Sequence, residues 1–123
     1  MKSRLKKNEL EKQSIELMNY IRENYKEITL KDMADYFGFS IPYLSKYIKQ
    51  KTGETFGNLV KNTRMKKACY LLKSTNLLVE DIAGTVGYQT VEHFNRTFKK
   101  CYHVTPVQYR NGKREKDEKG KIS

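Results

Sequence analysis

The sequence contains no apolar run of about 18 residues, so no segment of it reads as a bilayer-spanning helix. The basic stretch Met1-Lys-Ser-Arg-Leu-Lys-Lys is followed by no apolar h-region, so it does not read as a secretory signal. Cysteine occurs twice, at Cys69 and Cys101, in unrelated contexts. Two such residues build neither a disulfide framework nor a CxxC metal motif, and they read as reduced thiols of a cytoplasmic protein, with Cys69 packed. The two histidines, His93 and His103, give no metal-ligand spacing even with Cys101. No serine sits in a nucleophile elbow, no histidine is near Cys69 in sequence, and no Gly-rich phosphate loop occurs. No catalytic residue, metal or cofactor is therefore expected. Proline is confined to positions 42 and 106 and β-branched alternation is absent, which leaves an all-α chain.

What the sequence has in excess is positive charge: Lys+Arg 25 against Asp+Glu 14, a net charge of +11 and a pI near 9.6. At 123 residues it is one domain, or two very small ones sharing an interface. The imbalance calls for a polyanionic partner, with nucleic acid first and an anionic membrane surface second. The alternating signs of "KKNELEKQSIELM" near the N-terminus disfavour the membrane.

The helical pattern is regular. A first helix is expected from about Glu9 to Tyr25, with Leu17, Met18, Ile21 and Tyr25 on one stripe. Thr29 caps a short second helix, with Asp32 as a capping-box-like partner and Leu30, Met33, Ala34 and Phe37 at i, i+3, i+4, i+7. Gly38 ends it where a positive φ is needed. Ser40 caps a third helix with Pro42 in its first turn and Leu44 and Ile48 inward, ending at Thr52-Gly53. A longer helix over about Phe56 to Ser74 carries Phe56, Leu59, Val60, Ala68, Leu71 and Leu72 inward. A fifth covers about Val79 to Val86, and "VGYQTVEHFNRTFKK" carries a sixth. Thr105, Pro106 and Gln108 mark the start of a short last one. Residues 1–8 and 111–123 read as charged mobile tails.

Within this pattern the chain repeats itself. "KDMADYFGFS" (Lys31 to Ser40) aligns with "EDIAGTVGYQ" (Glu80 to Gln89): Asp32 with Asp81, Ala34 with Ala83, Gly38 with Gly87, Phe39 with Tyr88. With a one-residue offset, Leu44 matches Phe94, Lys46 matches Arg96, Ile48 matches Phe98 and Lys49 matches Lys99. Each copy is a short helix, a Gly turn and a second helix with a cationic outer face. Small Ala34 and Ala83 permit close helix approach, and the second helix is free to enter a groove, which is the helix-turn-helix arrangement. In the second copy Glu92, Asn95, Arg96 and Lys99 share one face while Val91, Phe94 and Phe98 anchor the other.

At "SIPYLSKYIKQKTG", "RMKKACYLL", "DIAGTVGY", "FNRTFKK" and "VTPVQYR" the chain resembles the DNA-binding domain of AraC/XylS-type transcription regulators, over roughly Ile15 to Arg110. The resemblance implies about seven helices in two helix-turn-helix subdomains, residues 9–74 and 75–110, joined by a linker helix over 56–74. It implies recognition helices in successive major grooves on one side of double-stranded DNA. By motif position the base-facing residues are Pro42, Ser45 and Lys46 on the first recognition helix, and Val91, Glu92, Asn95 and Arg96 on the second. Tyr43, Lys49, Thr90 and Lys99 suit phosphates. Binding as a monomer and RNA polymerase as a further partner belong to the same expectation, as does association with the nucleoid. The chain departs from the pattern at Leu78, where a capping Ser is usual, at His103, where a helix-ending Gly is usual, and at Cys101, where an aromatic is common.

Blander readings stand beside these. Lys46 and Arg96 could be ordinary solvated cations, although the repeated register argues against it. Glu92 in a helix's first turn is favoured by the macrodipole alone, or it accepts from cytosine N4. Ser45 and Pro42 are weak readers of hydrogen-bonding groups. The rival to a sequence-specific regulator is a nonspecific architectural DNA-binding protein.

Overall fold

The computed structural model describes residues 2–112, with side chains from 12 onward. Its helices are α1 (Lys2–Asn24), α2 (Leu30–Phe37), α3 (Ile41–Thr52), α4 (Phe56–Ser74), α5 (Val79–Thr85) and α6 (Val91–Tyr102). A seventh, α7, covers 106–112. No strand occurs among the described residues, as the all-α expectation requires. The helix boundaries differ from expectation chiefly at the start. α1 begins at Lys2 rather than Glu9 and so takes in residues assigned to a tail. Lys, Arg, Leu and Glu are good helix formers and no Gly or Pro interrupts them, so nothing in that stretch stops the helix. Of the C-terminal tail, residues 111 and 112 continue α7 and 113–123 lie outside the described residues.

The chain divides into two compact units, Met1–Thr63 and Arg64–Ser123. The division falls inside α4, where the sequence pattern had put the subdomain boundary after Ser74. The reason lies in which side chains α4 buries. Val60 joins the first unit's core, with Leu17, Ile21, Met33, Ala34, Leu44, Tyr47 and Ile48. Met65, Ala68 and Leu72 are buried in the second unit, as are Ile82, Ala83, Val86, Tyr88, Phe94, Phe98 and Pro106.

Within each unit a short helix packs on a longer one, α2 on α3 and α5 on α6. The two turns are built alike. Phe39 N–H donates to Ala34 O at 2.9 Å, and Tyr88 N–H donates to Ala83 O at 2.9 Å. Gly38 N–H reaches Asp35 O and Gly87 N–H reaches Gly84 O, both at 3.2 Å. Gly38 has φ 72° and Gly87 φ 107°, so the backbone, not crowding, selects glycine: a Cβ at Gly38 would meet nothing within 4 Å.

The repeat runs further than the sequence pattern indicated, through a third helix of each copy. α3 and α6 are both 12 residues long, capped by Ser40 and Thr90 and ended by αL residues Gly53 and His103. Thr55 and Thr105 then cap α4 and α7, accepting from Asn58 N–H and Gln108 N–H at 3.1 Å each. In the second unit Thr105 N–H also donates to Gln108 Oε1 at 2.9 Å, closing the expected capping box. Arg110 ties α7 to the end of α4, donating to Leu72 O at 2.9 Å and Thr75 O at 3.2 Å. Those are carbonyls that the end of a helix leaves without intrahelical donors.

The copies differ in their caps. Thr29 Oγ1 accepts from Asp32 N–H at 3.0 Å, whereas Leu78, 59% exposed, gives α5 no side-chain cap. His103 is the one non-glycine residue with positive φ among the described residues, at 67°. Its counterpart Gly53 has φ 76° and open space at Cβ. The pair isolates the backbone cost of a side chain in αL. His103→Gly should stabilise the protein by about 0.5–1 kcal/mol, and Gly53→His should destabilise it by a similar amount. Urea titrations of the three proteins check both signs.

Candidate nucleic-acid interface

α3 and α6 each bury one face and leave the other open. On α3, Leu44, Tyr47 and Ile48 are buried, while Pro42, Tyr43, Ser45, Lys46 and Lys49 are exposed. On α6, Phe94 and Phe98 are buried, and Glu92, Arg96 and Lys99 are exposed. Thr90 is exposed as well, but its Oγ1 accepts from His93 N–H at 3.1 Å, which leaves only its hydroxyl proton for a phosphate. Ser40 does the same for α3, accepting from Tyr43 N–H at 3.2 Å. Both helix starts are therefore fixed by local hydrogen bonds before any ligand arrives.

Three expected contact residues are not simply presented. Val91 is half-buried, in keeping with its place beside Phe94 on the anchoring face. Asn95 is half-buried too, and its Oδ1 is fully buried with no hydrogen-bond partner. Lys49 Nζ folds back on its own helix end, donating to Gly53 O at 3.3 Å. Such a contact at a helix C-terminus is favoured by the exposed carbonyls there, and Lys49 must leave it to reach a phosphate.

Aromatic rings brace both faces. Tyr43 sits edge-on to Phe39 at 4.9 Å and 6.0 Å from Tyr47. Burial, and then the neighbouring Tyr43, raise the Tyr47 phenol above its ordinary value. In the second unit Tyr88 stands 5.6 Å from Phe94, with the Arg64 guanidinium 5.5 Å over its ring. Burial raises Tyr88 most, and Arg64 and a hydrogen bond with Thr97 pull it partly back. Arg64 went unnoticed in the sequence because its partner ring lies 24 positions away. Ile41 was missed for the opposite reason. Its spacing to Leu44 and Ile48 places it on the inward stripe, yet it is 43% exposed.

Charge suits both helices to a polyanion without singling them out, since α4 carries Lys61, Arg64, Lys66, Lys67 and Lys73 and no carboxylate. α3 carries Lys46, Lys49 and Lys51 and no carboxylate, and α6 carries Arg96, Lys99 and Lys100 against Glu92 alone. By contrast Glu16, Glu23, Glu27, Asp32 and Asp35 gather along α1, α2 and the turn between them. A cavity of about 230 Å³ there is lined by Tyr20, Glu23, Asn24, Lys26, Glu27, Ile28 and Asp32, the wrong balance of charge for phosphates. Among the described residues no three His, Cys, Asp or Glu side chains gather to hold a metal, and no helix is long and apolar enough to cross a membrane.

The buried Asn95 Oδ1 has a consequence for stability. An unpaired buried carbonyl costs about 1–3 kcal/mol, and replacing the amide by a group of the same shape removes that cost. Asn95→Leu should therefore raise the stability of the free protein by about 1 kcal/mol, read from thermal melts. A drop would show that the amide is satisfied.

A family described as a helix-turn-helix domain matches residues 33–112. The xylose operon regulatory protein of Escherichia coli is 36% identical over 98 residues, covering 79% of this chain and 25% of that protein. The chain thus spans about a quarter of that relative's length. The C-terminal domain of AraT, a response regulator from Geobacillus stearothermophilus, has a TM-score of 0.77 at 39% identity, covering 80% of this chain and 84% of that one. The C-terminal domain of the response regulator yesN from Fusobacterium nucleatum has a TM-score of 0.74 at 38% identity, covering 76% and 93%. Two copies of one turn, each presenting a capped cationic helix, agree with all three: the chain belongs to the AraC/XylS family of helix-turn-helix transcription regulators.

Proposed function

We propose that the chain is a sequence-specific double-stranded DNA-binding module that regulates transcription by reading two adjacent major-groove segments, one with α3 and one with α6. The observation that carries this is the duplication itself. Two helices of equal length, equally capped, each expose cations on the face opposite their buried one. In this reading Pro42, Ser45 and Lys46 face bases from α3, and Val91, Glu92, Asn95 and Arg96 from α6. Tyr43, Lys49, Thr90 and Lys99 hold phosphates, which fix register and supply most of the affinity. Val91 and Asn95 serve as edge contacts, given their partial burial, and only the exposed part of the Asn95 side chain is available to a base. Binding as a single chain, RNA polymerase as a second partner and residence on the nucleoid belong to the same reading. Selection from random oligonucleotides followed by footprinting tests it. A bipartite preferred site supports it, and uniform retention of all sequences would point to an architectural protein instead.

Arg96 and Lys99 should differ in kind. An arginine fork on guanine O6 and N7 is worth about 1–3 kcal/mol of discrimination, so Arg96→Ala should relax preference at one base position. Lys99→Ala should weaken all sequences alike and reduce the salt slope by about 1. Equal loss on selected and random duplexes for Arg96→Ala would remove it from base readout.

Spacing gives an independent check. α4 is continuous over 19 residues, about 28 Å at 1.5 Å per residue. If it acts as a rigid linker, inserting about 5 base pairs between the half-sites turns one groove to the far side of the duplex. Affinity should then fall towards that of a single half-site, and a full-turn insertion should not restore it because the helix cannot lengthen. Titrations of the three duplexes measure this, and tolerance of either insertion would mean a flexible tether.

A further inference from the structure

The first turns of the two recognition helices carry different chemistry. In α3, Ile41 is 43% exposed and Tyr43 49% exposed, with Pro42 exposed between them. That turn holds no charge, and Pro42 has no N–H to donate. In α6 the matching residues are half-buried Val91 and exposed Glu92 and His93. The exposure of Ile41 runs against its own register, since Leu44 and Ile48, three and seven positions on, are 0% and 2% exposed. The apolar edge is also held still. Ser40 caps the turn through Tyr43 N–H, Pro42 fixes its own φ, and Phe39 stands edge-on to the Tyr43 ring at 4.9 Å.

In a major groove, the group that an apolar side chain can recognise is the C5-methyl of thymine; every other feature of a base edge there is a hydrogen-bond donor or acceptor. We infer that Ile41 and Pro42 read thymine methyl groups, so that apolar contact joins Ser45 and Lys46 in recognising the first half-site, whereas the second is read chiefly by hydrogen bonds from Glu92, Asn95 and Arg96. This rests on the reading that α3 and α6 are the recognition helices, and it adds Ile41 to the residues that set specificity. It also gives Pro42 a role that its lack of a polar group does not weaken, because methyl recognition asks for no polar atom. Preorganisation raises the value of the contact, since an edge already fixed loses little freedom on binding.

The test deletes the methyl and nothing else. In the duplex found by selection, each thymine of either half-site is replaced in turn by deoxyuridine, and binding of the unaltered protein is titrated. One or two positions in the α3 half-site should bind about fourfold more weakly, the effect of one buried methyl, and any loss in the α6 half-site should be smaller, because its one apolar contact, Val91, is half-buried. In the Ile41→Ser, Pro42→Ser double variant, melted first to establish that it folds, thymine and deoxyuridine duplexes should bind alike. The deoxyuridine series needs no variant, so it decides the matter even if that protein is unstable. Tolerance of deoxyuridine throughout the α3 half-site overturns the inference, as does an equal loss in the variant or a loss confined to the α6 half-site. Absence of any preferred sequence would overturn the underlying reading along with it, whereas a bipartite site indifferent to deoxyuridine would overturn this inference alone.

Discussion

Everything that could act on DNA here depends on one hydrogen bond made twice. Phe39 N–H to Ala34 O, and Tyr88 N–H to Ala83 O, close the turn that lets a short helix stop and a second one pack against it. The bond forms only if the residue before it accepts positive φ, which is why glycine stands at 38 and 87. It leads to close packing only if the short helix is small where it meets the second, hence fully buried Ala34 and Ala83. With the turn set, Leu44 and Ile48 in one unit and Phe94 and Phe98 in the other have one burial direction available. The outward directions of Lys46 and Arg96 follow from that, without any contact of their own.

The same economy explains the division between affinity and specificity. Cations such as Lys49, Lys99 and Lys100 are exposed, and a phosphate backbone rewards them wherever they fall along the groove. Residues that discriminate bases must be held in place beforehand, and the braced groups are those at the helix starts. Ser40 and Thr90 use their side-chain oxygens on backbone N–H groups, and Phe39 and Arg64 pack against Tyr43 and Tyr88. Helix starts held by local hydrogen bonds beside exposed cations match what DNA asks for: register first, then charge.

How far the sequence could be read depended on whether a feature is local. Caps at Thr29, Ser40, Thr90 and Thr105, the glycine turns and α4 over 56–74 are short-range matters of propensity and spacing, and the sequence displays them openly. The start of α1 at Lys2 is not legible in a charged, apolar-poor stretch, although its Lys, Arg and Leu are good helix formers. The division between the two compact units falls before the boundary expected after Ser74, because a continuous helix hides a change of partner: Val60 and Met65 sit on one unbroken α4 yet in different units. Among the candidate interface residues, placement on the right helix was legible. What was not legible is what the rest of the unit does to them. The burial of Asn95 Oδ1, the recapture of Lys49 by Gly53 O and the exposure of Ile41 are tertiary or end-of-helix effects that periodicity does not see.

The two copies have not kept equal stability devices, and the difference tracks what each presents. The first has a capped α2 and an αL glycine ending α3. The second starts α5 on uncapped Leu78, ends α6 on αL His103 and buries an unpaired amide oxygen at Asn95. Each of these departures costs stability in the unit whose recognition helix carries Glu92, Asn95 and Arg96, the side chains able to pair with base edges. Groups arranged for a partner are poorly satisfied without it, so their cost is met by the surrounding packing. Here that packing is the chain of rings from Tyr88 through Phe94 and Phe98 to Tyr102 and Tyr109, with Arg110 binding α7 to the end of α4. The first unit has as long a chain of rings, from Tyr20 to Tyr47, but several of them are exposed; in the second unit Phe94 and Phe98 are fully buried, and that depth is what lets the departures at Leu78, His103 and Asn95 stand.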